Sequence, residues 1–233
     1  MKAIAVAAQL ANGKDVFCDY LVGRLNQGIE TQKDIIYQDE TGWVRRESPP
    51  IWERAAFANA VKQVFESSFG VDRAFIEEWK RNNDPPPGFL KNIRKSLQFI
   101  GDGFRQIKDE IWIEIALRDE SKQLVISDSR YINEAKAVQK KGGIMFVLYR
   151  PGYLNDDPNP SEAQIKPIVE FCASELQEGQ IPSFTYLKQK YGHICPDELQ
   201  YYDYYLVNDG SIQDLYQKID DQVVPYIKNK YAC

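Results

Sequence analysis

A continuous apolar run, Ala3 to Ala8, opens the chain and gives way at once to the polar turn Gln9-Leu10-Ala11-Asn12-Gly13. Residues 2–8 read as a buried parallel strand, since a short run apolar on both faces suits a strand covered from both sides. The pattern then turns helical over 15–27, ending near Gly28. Residues 29–50 are polar, carry Gly42 and Pro49-Pro50, and read as a connection. Trp52, Ala55, Ala56, Ala60, Val64 and Phe65 recur at helical spacing, so a helix is predicted from Ile51 to Phe69, stopped at Gly70. Val71 to Lys80 reads as a short helix, followed by a break at Asn82-Asn83-Asp84-Pro85-Pro86-Pro87-Gly88. Two more helices are expected, Phe89 to Ile100 and Phe104 to Arg118, with Gly101-Asp102-Gly103 between them.

From there strands return. Leu124 to Asp128 is a second buried strand with a carboxylate at its end, and Ile132 to Lys141 is a helix stopped by Gly142-Gly143. Ile144 to Tyr149 is a third strand, closed by Arg150-Pro151-Gly152. Residues 153–200 are polar and proline-punctuated and read as an insert. Tyr204 to Val207 is a fourth strand, and Ile212 to Ile227 a closing helix capped by Asp209 or Ser211. Alternating strands and helices predict a three-layer α/β domain around a parallel sheet. The expected core is 1–28, 104–152 and 201–233, with a helical region at 29–103 and the insert at 153–200, all in one domain.

Composition narrows the function classes. The net charge of −5 argues against a nucleic-acid polymer as partner, while a single nucleotide needs only a few local cations. The longest apolar runs fall far short of a membrane span. No leader is read at the start, where Met-Lys runs directly into the first strand, so a cytoplasmic location is expected, in the host if the chain is phage-encoded. Cys18, Cys172, Cys195 and Cys233 are scattered without a CxxC pair and read as free thiols. His193 is the sole histidine, reads as structural, and leaves little room for a histidine-based zinc site or triad.

The chemistry gathers at two strand ends. After the first strand, Asn12-Gly13-Lys14-Asp15 joins a tight turn, a lysine and a helix N-terminus, where backbone N–H groups and an ammonium can meet a polyphosphate. Asp15 is expected to hold Mg²⁺ directly or through water, or else simply to cap the helix. Asp128 ends an apolar strand, as a Mg²⁺-organising carboxylate does, or caps the helix at Ile132. Arg54, Arg94, Arg105 and Arg130 suit phosphate contacts, though a solvated helix face is the ordinary place for an arginine. Trp52, Trp79 and Trp112 read as core in preference to base-stacking platforms. Tyr201-Tyr202-Asp203-Tyr204-Tyr205 reads as sheet packing or as a partner surface.

Taken in order, these blocks resemble the phage-type deoxynucleoside monophosphate kinases, a branch of the P-loop kinases. Gly13-Lys14-Asp15 is similar to that family's phosphate loop, and Arg54-Ala-Ala-Phe-Ala58 with Lys62 to its R-x-x-FA-x-x-x-K helix. Leu97-Gln98 with Gly101, Arg105 and the downstream Trp112 resembles its LQ-x-x-G-x-x-x-R segment. Asp128, Arg130, Asn133 and Glu134 resemble its D-x-R-x-x-NE block, and Ile144 to Arg150-Pro151 its strand ending in Arg-Pro. Asn208-Asp209-Gly210-Ser211 with Leu215 resembles its closing turn. The resemblance implies a P-loop NTPase-like fold with helical substrate-binding and lid insertions. It also implies transfer of the ATP γ-phosphoryl group to a deoxynucleoside or ribonucleoside monophosphate, use of Mg²⁺, and a homodimer.

By the same resemblance, Ala11, Asn12, Gly13, Lys14 and Asp15 would bind the ATP phosphates, and Asp15 and Asp128 would organise the metal. Arg54, Arg94, Gln98 and Arg105 would bind the acceptor, and Lys14, Arg105 and Arg130 would carry the transfer. The chain departs from the pattern at Ala8, where the loop usually has glycine, and at Val16, where a hydroxyl usually follows the aspartate. A methyl group at position 8 is expected to strain the turn or crowd the phosphate. The alternative to a kinase is a nucleotide-binding or interaction protein on the same scaffold, without turnover.

Overall fold

A computed structural model describes residues 2–27, 36–39, 42–45, 51–153 and 160–231. Gly28, Pro49-Pro50 and Cys233 lie outside them. The elements run β1 (Lys2–Ala7), α1 (Lys14–Leu25), β2 (Ile36–Asp39), β3 (Gly42–Arg45), β4 (Trp52–Ala55), α2 (Ala58–Phe69), α3 (Arg73–Trp79), α4 (Ile93–Ile107) and α5 (Ile111–Ala116). They continue as β5 (Gln123–Ser129), α6 (Ile132–Lys140), β6 (Ile144–Tyr149), α7 (Pro160–Glu175), β7 (Gly179–Gln180), α8 (Phe184–Tyr191), β8 (Tyr204–Val207), α9 (Ile212–Lys218) and α10 (Val224–Lys230).

Six strands form one sheet in the order β4-β5-β1-β6-β8-β7. All neighbours pair in parallel except the short edge strand β7, which runs antiparallel to β8. Side chains alternate across it, as strand geometry requires. Ile4 and Val6 pack with Phe17, Leu21, Leu215, Ile219 and Ile227 on one face. Ala3, Ala5 and Ala7 pack with Ala135, Val138, Ile165, Val169 and Cys172 on the other. Helices therefore cover both faces, and the predicted three-layer α/β architecture is observed. Alanines at 3, 5 and 7 let the second layer approach closely.

Several boundaries differ from the periodicity. The stretch 51–69 is not one helix: Trp52–Ala55 is a strand paired with β5, and the helix starts at Ala58. Local spacing favoured helix, but β5 offers an open edge that Trp52–Ala55 joins in parallel register. The connection at 29–50 contains the antiparallel pair β2–β3. Gly101-Asp102-Gly103 does not interrupt α4, which runs unbroken to Ile107. The carbonyl of Gly101 takes the indole N–H of buried Trp112 at 3.0 Å, so tertiary packing offsets weak helix propensity there. Ile111–Ala116 is consequently a separate short helix.

The region 153–200 is more than an insert. Its α7 buries Ile165, Ile168, Val169 and Cys172 against the sheet, and so belongs to the core. The closing helix begins where expected, with Ser211 accepting the N–H of Asp214 at 3.2 Å, and passes through a π-helical turn at Ile219–Val223. Tyr202, Tyr204 and Tyr205 are buried, so that stretch is packing. Trp52 and Trp112 are core residues, Trp79 is half-buried beside Phe75, and His193 is exposed on a 3-10 turn. Cys18, Cys172 and Cys195 are free and buried.

A candidate phosphate site at the carboxyl edge of the sheet

Because five strands run parallel, their carboxyl ends share one edge, the edge where open α/β sheets gather ligands. The loop after β1, the Ala55–Phe57 junction after β4, Asp128 to Arg130 at the end of β5, Arg150 after β6 and Asn208 after β8 all lie there. Register places Ala7 opposite Ser129 on the adjacent strand, so the loop and the Asp128–Arg130 segment are direct neighbours.

The loop itself is a left-handed turn. Ala11 has φ 65° and Gly13 φ 88°, and Gly13 is the N-cap of α1 with no side chain capping the helix. The first N–H groups of α1 thus keep their donor capacity for an anion. Ala11 is the sole non-glycine residue with positive φ among the described residues, a conformation costing about 1–2 kcal/mol. Ala8 is not left-handed, and its methyl group is buried in the sheet core, so the strain expected at that position is absent.

Asn12 secures the loop. Its side-chain amide donates to the carbonyls of Leu10 (3.1 Å) and Tyr153 (3.3 Å), and its oxygen accepts the N–H of Arg150. Asn208, in the closing turn, donates in turn to the carbonyl of Asn12 at 3.1 Å. The side chain of Asn12 is therefore committed to the scaffold, leaving its N–H as the group that can face a ligand.

Lys14 is 8% exposed, and its side chain makes no hydrogen bond or ion pair with another described residue. Burial, and then the charge of Arg130, lower its pKa, while Asp15, Glu162 and Asp128 act to keep its proton. That set of neighbours brings Lys14, Asp128 and Arg130 into one electrostatic cluster, as the strand pattern predicted. The stem of Lys14 is packed while its ammonium has no partner among the described residues, which leaves the charge available to an incoming anion.

Asp128 is half-buried at the end of β5. Its two oxygens accept the N–H groups of Phe57 (2.7 Å) and Ala58 (2.9 Å), which fastens the start of α2 to the sheet. The helix capped is thus α2, not α6. Burial raises the Asp128 pKa, against the lowering effect of those two N–H groups and of Arg130 and Lys14.

The remaining predicted residues divide into two groups. Arg54 bonds to the Asp15 carbonyl at 3.1 Å and the Asp15 carboxylate at 2.6 Å, and pairs with Asp19. Two residues expected to face ligands, Arg54 and Asp15, are therefore brought to each other, tying β4 to α1. Arg94, Gln98 and Arg105 recur along α4 at helical spacing with Gly101 between, forming one stripe. Arg105 lies over the Tyr131 ring at 4.2 Å and 3.8 Å from Glu134. Gln98 lines a surface groove with Asn83, Lys91, Lys95 and Phe99.

Three contributors were not among the expected site residues, although Asn208 and Glu134 belong to matched blocks. Asn208 gave a signal only as part of a turn motif. Glu134 is buried, accepts the N–H groups of Arg130 (2.8 Å) and Tyr131 (3.0 Å), and has a pKa pushed up to about 8 by burial and by the nearby Asp128 charge. Glu162, in the first turn of α7, is 1% exposed and reaches both the loop and Arg130. Nothing in its local pattern marks it, because the contact spans more than 150 positions.

No protein-family profile matches the chain. It is 27% identical over 135 residues to a protein of Acanthamoeba polyphaga mimivirus that carries the provisional name deoxynucleotide monophosphate kinase, covering 50% of this chain and 70% of that protein. Among solved structures, an unliganded sugar kinase from Janibacter sp. HTCC2649 aligns over 96% of this chain and 95% of its own, at 9% identity and a TM-score of 0.33. At that score the alignment says nothing about a shared fold.

Proposed function

We propose that the chain is a P-loop-type phosphotransferase that moves the terminal phosphoryl group of ATP to a nucleoside monophosphate. One observation carries this reading: the buried, unpartnered Lys14 follows a left-handed loop at a helix N-terminus, beside Asp128 and Arg130 of the adjoining parallel strand. The likeness to the mimivirus protein supports the same class of reaction and suggests a deoxynucleotide as acceptor.

In this reading the N–H groups of residues 11–15 and the Lys14 ammonium hold the β- and γ-phosphates. Arg130 faces the charge that builds on the transferring group, and Arg105, with Gln98 and Arg94 along α4, holds the acceptor. An oxygen of the acceptor phosphate forms a bond to the γ-phosphorus as the bond to the bridging oxygen breaks, and ADP leaves. Positioning and charge neutralisation are what such a transfer asks of a protein.

The residues present fit Mg²⁺ held mainly by the nucleotide. No group of three His, Cys, Asp or Glu among the described residues is placed to hold a metal ion, and Mg²⁺ characteristically keeps waters and substrate phosphates as ligands. Asp128 is the carboxylate positioned to reach it through water, each oxygen retaining acceptor capacity beyond its one N–H bond. When bound, Mg²⁺ would neutralise charge on the β- and γ-phosphates.

A second reading, nucleotide binding without turnover, is favoured by one feature. The first turn of α1 has no hydroxyl at 15 or 16, and the Asp15 carboxylate is engaged by Arg54. One assay separates the two: ADP formation from ATP and Mg²⁺ with each deoxynucleoside and ribonucleoside monophosphate in turn. The kinase reading expects at least one acceptor to raise ADP formation well above the acceptor-free rate. ATP binding with no acceptor-dependent ADP would establish the second reading instead.

A further inference from the structure

Helix α7 brings to the phosphate site a negative charge that neither the loop nor the strands supply. One carboxylate oxygen of Glu162, Oε2, accepts the N–H of Leu10 at 3.2 Å, inside the loop. The other, Oε1, stands 2.7 Å from Nη1 of Arg130. The approach is close enough for an ion pair but is not aligned as a hydrogen bond. Both Oε1 of Glu162 and Nε of Arg130 are buried without a hydrogen-bond partner among the described residues. Lys14 also senses this carboxylate, which acts to hold its proton.

We propose that Glu162 is a resident anion, standing where a terminal phosphoryl group binds, and that its displacement sets the affinity of the site for polyphosphate. The inference rests on the reading of the loop as a phosphate site. A loop N–H and a guanidinium meet the two carboxylate oxygens, with the Lys14 ammonium within electrostatic reach, and these are the donors a phosphoryl group takes. The carboxylate fills their demand incompletely. A terminal phosphate brings about two charges and three acceptor oxygens, so it can engage Nε and Nη of Arg130 together, as the bidentate geometry of arginine favours. Exchange of Glu162 for phosphate therefore gives the unsatisfied Nε of Arg130 an acceptor and releases Oε1 of Glu162 from a buried position without a donor. Until then the site is self-occupied, and apparent affinity is reduced by the fraction of molecules in which Glu162 is away.

A pure brace, holding Arg130 and the loop in place, would behave with the opposite sign. Removing a brace weakens anion binding, whereas removing a competitor strengthens it.

The test is calorimetric titration of inorganic tripolyphosphate into the wild type, Glu162→Gln and Glu162→Ala, with thermal melting of each to verify folding. Both variants should bind about fivefold tighter or more, in line with release from a competing internal state. Equal or weaker binding by the variants overturns the proposal, as does absence of binding in all three proteins. Should either variant melt below the working temperature, Glu162→Asp withdraws the carboxylate while keeping its charge, and tighter or weaker binding by it decides with the same sign. Tripolyphosphate needs no acceptor and no turnover. Tighter binding without Glu162 in a protein that makes no ADP would uphold the inference and defeat the kinase reading separately.

Discussion

The side chain of Asn208 occupies the place where a β-carbon on residue 13 would have to go: such a carbon would lie 2.5 Å from Nδ2. The same amide group holds the carbonyl of Asn12, so the closing turn of the domain shapes the loop at its opening. Glycine at 13 is required twice over, by this contact and by φ 88°. Gly13→Ala should destabilise the fold by roughly 2 kcal/mol or more. Adding Asn208→Ala removes the contact but not the backbone strain, so the double variant should lose less than the sum of the singles in urea unfolding. Strict additivity would show that the two residues are not coupled.

Asp128 has two separable duties. Asp128→Ala removes the cap of α2 and should cost about 1–2 kcal/mol of stability. Asp128→Asn keeps an acceptor for one of the two N–H groups but loses the charge. It should therefore retain more of the stability while kcat falls by at least about tenfold. Full activity in Asp128→Asn would reduce this residue to a cap.

The buried carboxyl of Glu134 predicts a pH signature. Its pKa in the folded chain is about 8, against an ordinary value of 4.5. Between those values the unfolded chain has lost the proton and the folded chain still holds it, so this group lowers stability as pH rises. Its contribution is full below about pH 4.5 and lost through about pH 8. Glu134→Gln, a mimic of the protonated form, should show a smaller fall in melting temperature from pH 5 to pH 9 than the wild type. Parallel profiles would contradict the assignment.

Trp112 joins α5 to α4, the helix proposed to hold the acceptor, through its bond to the carbonyl of Gly101. Trp112→Phe removes this second bond to a carbonyl that the helix already pairs, and should cost about 0.5–1.5 kcal/mol. Because Gly101 lies on the stripe between Gln98 and Arg105, KM for the acceptor should rise more than KM for ATP in steady-state assays. A stability loss with both KM values unchanged would place the contact outside the acceptor site.

What the chain revealed in advance follows from range. Strands β1, β6 and β8 and the helix α6 were legible because each is a buried run with its own punctuation. Strand β4 was not, since WERA reads as helix until it meets the open edge of β5. The glycines within α4 misled for the same reason: their support comes from Trp112, a partner outside the helix. In the site, Lys14, Asp128 and Arg130 could be placed together because parallel strands oblige their ends to share an edge. The pairing of Arg54 with Asp15, and the arrival of Glu162, depend on which helix crosses where, and a one-dimensional pattern does not carry that.

The measurement that bears most directly on this account is ADP formation by Lys14→Ala beside the wild type, at saturating ATP, Mg²⁺ and the best acceptor. Loss of a buried lysine from the phosphate loop should lower kcat by about a hundredfold or more while the variant still folds. Turnover equal to that of the wild type would mean that the loop after the first strand does not hold the nucleotide phosphates, whatever the fold around it.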